Sequence, residues 1–461
     1  MPLDNPGQRL DQAPYVVELP LDASRRRVTT DRYWSREHQE RERERLWMRV
    51  WQIAGRVDEL PEPGDWKVYA ILGQSFVVVR GKDGVIRGFV NSCRHRGNAL
   101  CQGRGRASRF ICSYHKWSYG LDGRLLAAPK PDFDGPLEAF VGAAEELALR
   151  QVPVECFAGF IFLNPDPKAA PLADFLGEAA AQLAPYRLEE MVPVGLNVRE
   201  ALNCNWKVVI DAFQEGYHIH GVHPELIASV DLAKERCSFF GDHVAATVPF
   251  GARNAAALGP DAEAEMISAL PAANFPGMAE VLPRFEQLVA AHRGDGGGLR
   301  LPAGVTPRTL LQRATRETLT AKGLDVSGLT DNQMSDYQFW LVFPNVFVQV
   351  RAGEATVISV TPHPSDPERC AWHVAVYLWL PPEQRAAARA ELTETPEGEH
   401  FPYFLALEQD WEQMQRQQEG LRNRGLAYMT LTRQEARVAH FHSALDRWLQ
   451  DRPRPPADPA A

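Results

Sequence analysis

No apolar run in the 461 residues is long enough to cross a bilayer; the most apolar stretch, around Phe339 to Val350, is short and interrupted by Pro344. Positive charge is in deficit. Fifty Lys and Arg against 59 Asp and Glu leave a formal charge of −9, which argues against binding nucleic acid through a basic surface. Cysteine is sparse and odd in number; seven scattered thiols do not make a disulfide framework and read as ligands or small core residues. The first residues, Met1-Pro2-Leu3-Asp4-Asn5, have neither a basic region nor an apolar one, so the expectation is no secretory signal and a cytoplasmic protein. No internal repeat is visible.

Burial material is plentiful: 45% of the residues are hydrophobic, with 11 Trp and 21 Phe, which excludes disorder for most of the chain and suits two domains. Residues 5–30 read as an extended lead-in. Residues 35–51 read as a helix whose end gathers Leu46, Trp47, Val50 and Trp51. From 64 to about 163, short β-rich runs alternate with turns such as Lys82-Asp83-Gly84 and Leu121-Asp122-Gly123, the pattern of a small antiparallel β-domain. After Asn164-Pro165-Asp166-Pro167 the composition shifts to Ala-rich helix, which marks a boundary. Strands are expected near 343–350, 355–361 and 371–380, so the second part is α+β. The Ala-, Gly- and Pro-rich residues 250–331 read as mobile connections around short helices, as in lids, and 452–461 as a frayed tail.

Two clusters of ligand-type residues stand out. Cys93-Arg94-His95 and Cys112-Ser113-Tyr114-His115 each offer one thiolate and one imidazole from a short loop. Two Cys and two His also satisfy tetrahedral zinc, but zinc loops usually pair like with like. Mixed pairs suit a [2Fe–2S] centre with both thiolates on one iron and both imidazoles on the other. The surroundings, from Asn91 to Gly97, from Cys112 to Tyr119 and then Asp122-Gly123-Arg124-Leu125, resemble the Rieske pattern. The family usually has Gly where Lys116 stands. Cys101 fits neither loop and reads as a small buried residue.

The second cluster runs from Asp211 to His223 and holds Asp211, Glu215, His218, His220 and His223 within thirteen positions. On one continuous helix Asp211, Glu215 and His218 would share a face. Spacing alone leaves the ligands open: His220 and His223 are three apart and can share a face, whereas His218 and His223 are five apart and need an irregular turn. Asn205-Trp206-Lys207, then Glu215-Gly216-Tyr217-His218 and His223-Pro224, resemble the catalytic motif of the large (α) subunits of Rieske non-haem iron oxygenases. The segment from Asp410 to Gln418-Glu419-Gly420-Leu421, with Glu435 and Phe441-His442 after it, is similar to that family's C-terminal pattern.

The resemblance implies a Rieske [2Fe–2S] domain over 45–165 and a larger helix-grip-like α+β catalytic domain with an antiparallel sheet over 166–461, on which a helix at 30–44 packs. It implies cluster ligands Cys93, His95, Cys112 and His115, and a mononuclear non-haem Fe(II) held by His218, His223 and Asp410, with His220 as a pocket or structural residue. In the family a carboxylate links the cluster of one subunit of a trimer to the iron of the next; Glu215 stands there, with Asp211 one turn away. Many members carry Asp at that position, and Glu is similar to the branch acting on quaternary amines. The implied activity is a terminal oxygenase taking O2 and electrons from a reductase or ferredoxin, ultimately from NAD(P)H. It would hydroxylate an aromatic or other small hydrophobic compound or, alternatively, carry out O- or N-demethylation. The implied assembly is a homotrimer, with a β subunit possible. Phe213, Phe339, Phe343 and Phe347, with Asn345 as a polar anchor, are candidates for the substrate pocket; each also fits an ordinary core strand.

Overall fold

The computed structural model describes residues 27–129, 146–227, 235–249, 255–269 and 276–450. The lead-in before residue 27 and the tail after 450 lie outside the described residues. Contacts divide the chain into two compact units, Glu40–Phe175 and a larger one built from the residues on either side of it. Among the described residues no helix is long and apolar enough to cross a membrane. The helix read over 35–51 is shorter: it runs over Arg36–Glu42, widens into a π-type turn over Arg43–Trp47, and gives way to a strand at Gln52–Arg56.

The strands described in the smaller unit all pair antiparallel. Its five-stranded sheet runs in the order Gln151–Val152, Ile86–Val90, Gln74–Arg80, Asp65–Ile71, Arg104–Arg106, and two three-stranded sheets accompany it. Leu72-Gly73 joins two of these strands as a two-residue turn with both φ angles positive, the turn whose twist matches that of its strands. The core gathers Val77, Phe89, Phe110, Trp117 and Tyr119 around Cys93, Cys101 and Cys112. Burial pushes the Cys101 thiol up to about 12, the behaviour of an inert core residue.

The larger unit is built on an eight-stranded sheet. Its order is Arg236–Phe240, His243–Val248, Tyr337–Val342, Val346–Arg351, Glu354–Pro362, Cys370–Trp379, Met191–Leu202, Thr393–Glu394, antiparallel except for the last pair. The strand read near 343–350 falls on Val346–Arg351; Phe343, Pro344 and Asn345 form the connection from the preceding strand, Tyr337–Val342. Met191–Leu202 went unread in the sequence. Between Pro193 and Asn197 its register shifts, and Gly195 takes a positive φ, so the alternation shows only from Val198 onward.

The region read as mobile connections around short helices contains three long ones, Ala255–Ser268, Pro276–Ala290 and Pro307–Ala321, the first kinked at Gly259. They share an apolar core that includes Met278, Val281, Phe285, Leu310 and Leu311 and reaches Tyr337 on the sheet. Pro276 and Pro307 open helices rather than break them, since the first turn needs no N–H from its first residue. Fully buried Arg351 and Glu354 pair at 2.9 Å, and Glu354 accepts from the Gly277 N–H at 2.5 Å. A side chain at Gly277 would collide with that carboxylate. The insertion is therefore a packed body fastened to the sheet. Against the same sheet lie Trp206–Phe213, which contacts Val346–Arg351 and Glu354–Pro362, and the C-terminal helix Ala436–Leu449, which contacts His243–Val248; Leu405–Leu421 packs on Trp206–Phe213.

Candidate metal centres

Asn205 starts the motif helix. Its side chain accepts from Lys207 N–H at 2.9 Å, and its own N–H donates to Gln418 Oε1 at 2.9 Å, tying the cap to Leu405–Leu421. The helix ends at Phe213, so Asp211, Glu215 and His218 do not line one continuous helical face, contrary to the sequence reading. A second, one-turn helix covers Ile219–Val222, with His218 just before it and His223 just after, and this break brings the two imidazoles together. Their ring centroids lie 5.1 Å apart at 77°.

Asp410, on Leu405–Leu421, completes the group: the nearest ligand atoms of His218, His223 and Asp410 all lie within 4.8 Å of one another. Asp410 Oδ1 is 3.0 Å from His223 Nε2 and 3.7 Å from His218 Nε2. The far nitrogens are taken. Glu215 Oε1 accepts from His218 Nδ1 at 2.6 Å, and Gln409 Oε1 accepts from His223 Nδ1 at 2.7 Å. Both acceptors take the hydrogen of Nδ1, which leaves each Nε2 facing Asp410 as the nitrogen available to a metal. Burial alone would lower the His223 pKa, but Asp410, Gln409 and Glu225 raise it above its ordinary value. Two imidazole nitrogens and one carboxylate, with orientation fixed from behind, fit a divalent transition metal. His220 is exposed and outside the group.

In the smaller unit Cys93 and Cys112 are buried, while His95 is exposed and His115 half-buried. The two imidazoles meet edge to face at 4.5 Å between centroids and 71° between planes, and His95 stacks on Trp117 at 5.0 Å. Gly97 N–H closes the first loop onto Cys93 O at 2.9 Å, and Lys116 N–H closes the second onto Cys112 O at 3.0 Å. Lys116 adopts a left-handed φ of 59°, which explains why Gly is the easier residue there. Burial alone would raise the Cys112 pKa, but the N–H groups of Tyr114 and His115 and the side chains of Cys93 and Asn98 bring it below its ordinary value. Cys93 Sγ lies 3.2 Å from the Tyr119 hydroxyl. Thiols inside and imidazoles outside form a sided donor set that fits a cluster with unlike irons.

Residues 181–451 match the family described as ring hydroxylating alpha subunit (catalytic domain), and residues 50–142 match the Rieske [2Fe-2S] domain. The chain belongs to the ring-hydroxylating alpha subunits. A Rieske [2Fe–2S] cluster and a mononuclear non-haem iron are the cofactors of this alpha subunit. It is 34% identical over 251 residues to the glycine betaine monooxygenase oxygenase subunit of Pseudomonas aeruginosa, an alignment covering 49% of this chain and 56% of the relative. It is 32% identical over 197 residues to the carnitine monooxygenase oxygenase subunit of Escherichia coli, covering 42% and 51%. The chain thus spans about half the length of the curated relatives it matches. Among solved structures, a quaternary ammonium Rieske monooxygenase in complex with L-carnitine superposes with a TM-score of 0.61 at 20% identity over 92% of this chain and 96% of that one. A naphthalene 1,2-dioxygenase variant bound to phenanthrene gives 0.62 at 19%, over 92% of each chain.

Other expected residues of the alpha subunit lie elsewhere. Asp211 sits in a buried network apart from the ligand group: its Oδ2 accepts from the Tyr33 hydroxyl at 2.5 Å and its Oδ1 from His442 Nε2 at 3.0 Å. Arg32 donates to His442 Nδ1 at 3.1 Å, which fixes that imidazole as the neutral Nε2–H form. Phe347 packs on Phe213 at 5.0 Å and on Phe339 at 6.1 Å between centroids. Phe343 is apart from them, against Phe441 and Trp448 of the C-terminal helix. Asn345 is buried and donates to Val360 O at 2.7 Å. The sequence reading missed Gln409 and Tyr33. Adjacency to Asp410 was the one available signal for Gln409; nothing local marked Tyr33.

Proposed function

We propose that this chain is a terminal oxygenase component in which Cys93, His95, Cys112 and His115 hold the Rieske cluster and His218, His223 and Asp410 hold the mononuclear iron. The carrying observation is the ligand group itself, with both Nδ1 positions occupied from behind and both Nε2 atoms facing one carboxylate. Two imidazoles and a carboxylate on one side leave the opposite side open. Iron bound there supplies the one-electron chemistry that lets dioxygen attack an unactivated C–H bond. The chain's own part is orientation: Glu215 and Gln409 hold the imidazoles, and Phe213, within the motif, carries Phe347 and through it Phe339 as aromatic surface.

Electrons come from a partner reductase or ferredoxin, and the working assembly is a cytoplasmic homotrimer in which Glu215 links His218 to His115 of a neighbouring copy. For the substrate, a quaternary ammonium compound losing a methyl group as formaldehyde is favoured by the glutamate at 215 and by the names of the relatives. Ring hydroxylation of an aromatic compound is a second reading, favoured by the phenylalanine stack. The test is turnover of the purified protein with a reconstituted reductase, O2 and in turn glycine betaine, L-carnitine and naphthalene. Formaldehyde supports the first reading and a ring-hydroxylated product the second. Zinc in place of iron and sulfide at the cysteine–histidine loops would overturn both.

A further inference from the structure

The helix that carries Asp410 is held at its first turn by a group that the reading above does not use. His400 lies just before it. Its Nδ1 is 2.9 Å from Glu200 Oε1, on the strand Met191–Leu202, and its Nε2 is 2.6 Å from Glu408 Oε1, in the helix's first turn. Trp411 Nε1–H donates to the same Glu200 oxygen at 3.1 Å, and its ring lies 3.9 Å from that of His400. Glu408 also accepts from Tyr403 N–H at 3.2 Å. Residues 408 and 411, which bracket Gln409 and Asp410, are thus both fastened to one buried carboxylate on the sheet. His400 itself is outside the group formed by His218, His223 and Asp410.

The arrangement depends on charge. A carboxylate only accepts, so bonding both Glu200 and Glu408 requires a proton on each ring nitrogen, and only the imidazolium has both. Glu200 is 1% exposed, and among the described residues its ion-pair partner is His400. The other groups facing His400 are Tyr403, whose phenol burial and the neighbouring Glu200 hold protonated, and the uncharged Trp411.

We propose that His400 is a positioning residue for the metal site: as an imidazolium it pins the first turn of Leu405–Leu421 to the sheet and so holds Gln409 and Asp410 against His223. This rests on His218, His223 and Asp410 being the metal-binding group. Burial alone would lower the His400 pKa, but Glu200 and Glu408 raise it above its ordinary value. The folded-state pKa being raised, the clamp is complete below the ordinary histidine range and is lost as pH rises through the raised value. Ligand histidines behave oppositely, since their protonation weakens metal binding at low pH. A clamp effect therefore shows as lost affinity on the alkaline side.

The experiment titrates Co(II) into full-length protein stripped of its mononuclear iron, anaerobically, across about pH 6 to 9, with the Rieske absorption monitored as intact. Wild type, His400→Gln, His400→Arg and Asp410→Ala are compared. Against wild type on the acid side, His400→Gln is expected to bind about tenfold more weakly and to lack the alkaline fall. His400→Arg, permanently charged and able to donate to both carboxylates, is expected to stay tight throughout. His400→Gln matching wild type at every pH, or Gln and Arg weakened alike, would overturn the clamp. Asp410→Ala binding Co(II) as well as wild type would instead overturn the metal-site reading.

Discussion

Replacing Glu215 by Gln tests how much the orientation of His218 matters. The native carboxylate takes two hydrogen bonds from one residue, from His218 Nδ1 at 2.6 Å and from the His218 backbone N–H at 3.0 Å. Glutamine has a single acceptor oxygen, and its NH2 group would face whichever donor the oxygen does not serve. One bond becomes neutral and the other is replaced by two opposed donors. Losing a hydrogen bond to a charged group costs about 1.5–3 kcal/mol, or about 10- to 150-fold in an equilibrium. Glu215→Gln should therefore weaken Fe(II) binding by about ten- to a hundredfold, within the range for partners behind a ligand, while the site still fills at saturating iron. In that filled state, cluster reoxidation in a stopped-flow single turnover with substrate and O2 should collapse. The reasoning fails if affinity is unchanged and reoxidation runs at the wild-type rate; Glu215 would then serve only the local turn.

His223→Ala should remove the mononuclear iron and leave the Rieske absorption intact, whereas exposed His220→Ala should keep both; iron analysis with visible spectra decides, and the reverse pattern would refute the assignment. Tyr119→Phe removes the hydroxyl 3.2 Å from Cys93 Sγ, and because hydrogen bonds to sulfur favour the reduced cluster, its reduction potential should fall. An unmoved redox titration would mean that this bond does not act on the cluster. Tyr33→Phe deletes the donor to buried Asp211 and should cost about 1.5–3 kcal/mol in urea unfolding followed by tryptophan fluorescence, with an unchanged midpoint counting against the network.

The motifs were legible because their chemistry is local: Cys93 and His95 sit in one loop, and His218 and His223 flank one short helix. The third member of the metal group was legible only through the family pattern, which singles out Asp410 in a helix where Glu408 and Glu412 offer carboxylates on either side of it. Asp211 was misplaced because a helix was extrapolated through Gln214 and Gly216, where the chain leaves helical geometry. The strands after residue 337 were legible from dense β-branched and aromatic runs. Met191–Leu202 was not, because Pro193, Gly195 and the shifted register obscure its alternation. Tyr33 and His442 are 409 positions apart, and no local pattern joins them. The Ala-, Gly- and Pro-rich insertion misled for another reason: small residues and prolines mark irregular chain and helix starts alike, and burial against Tyr337 decides between them.

His223 and Asp410 are 187 positions apart, and the intervening chain includes the helical insertion and the central strands of the sheet. The metal group therefore exists only in a chain that has completed its larger unit. A ligand that binds only the finished fold deepens its stability by mass action, by about 2.7 kcal/mol at a hundred times its dissociation constant. Iron scarcity should then shorten the lifetime of the protein, because the iron-free chain opens more often to proteases. Cellular levels of the protein are thus expected to follow iron supply.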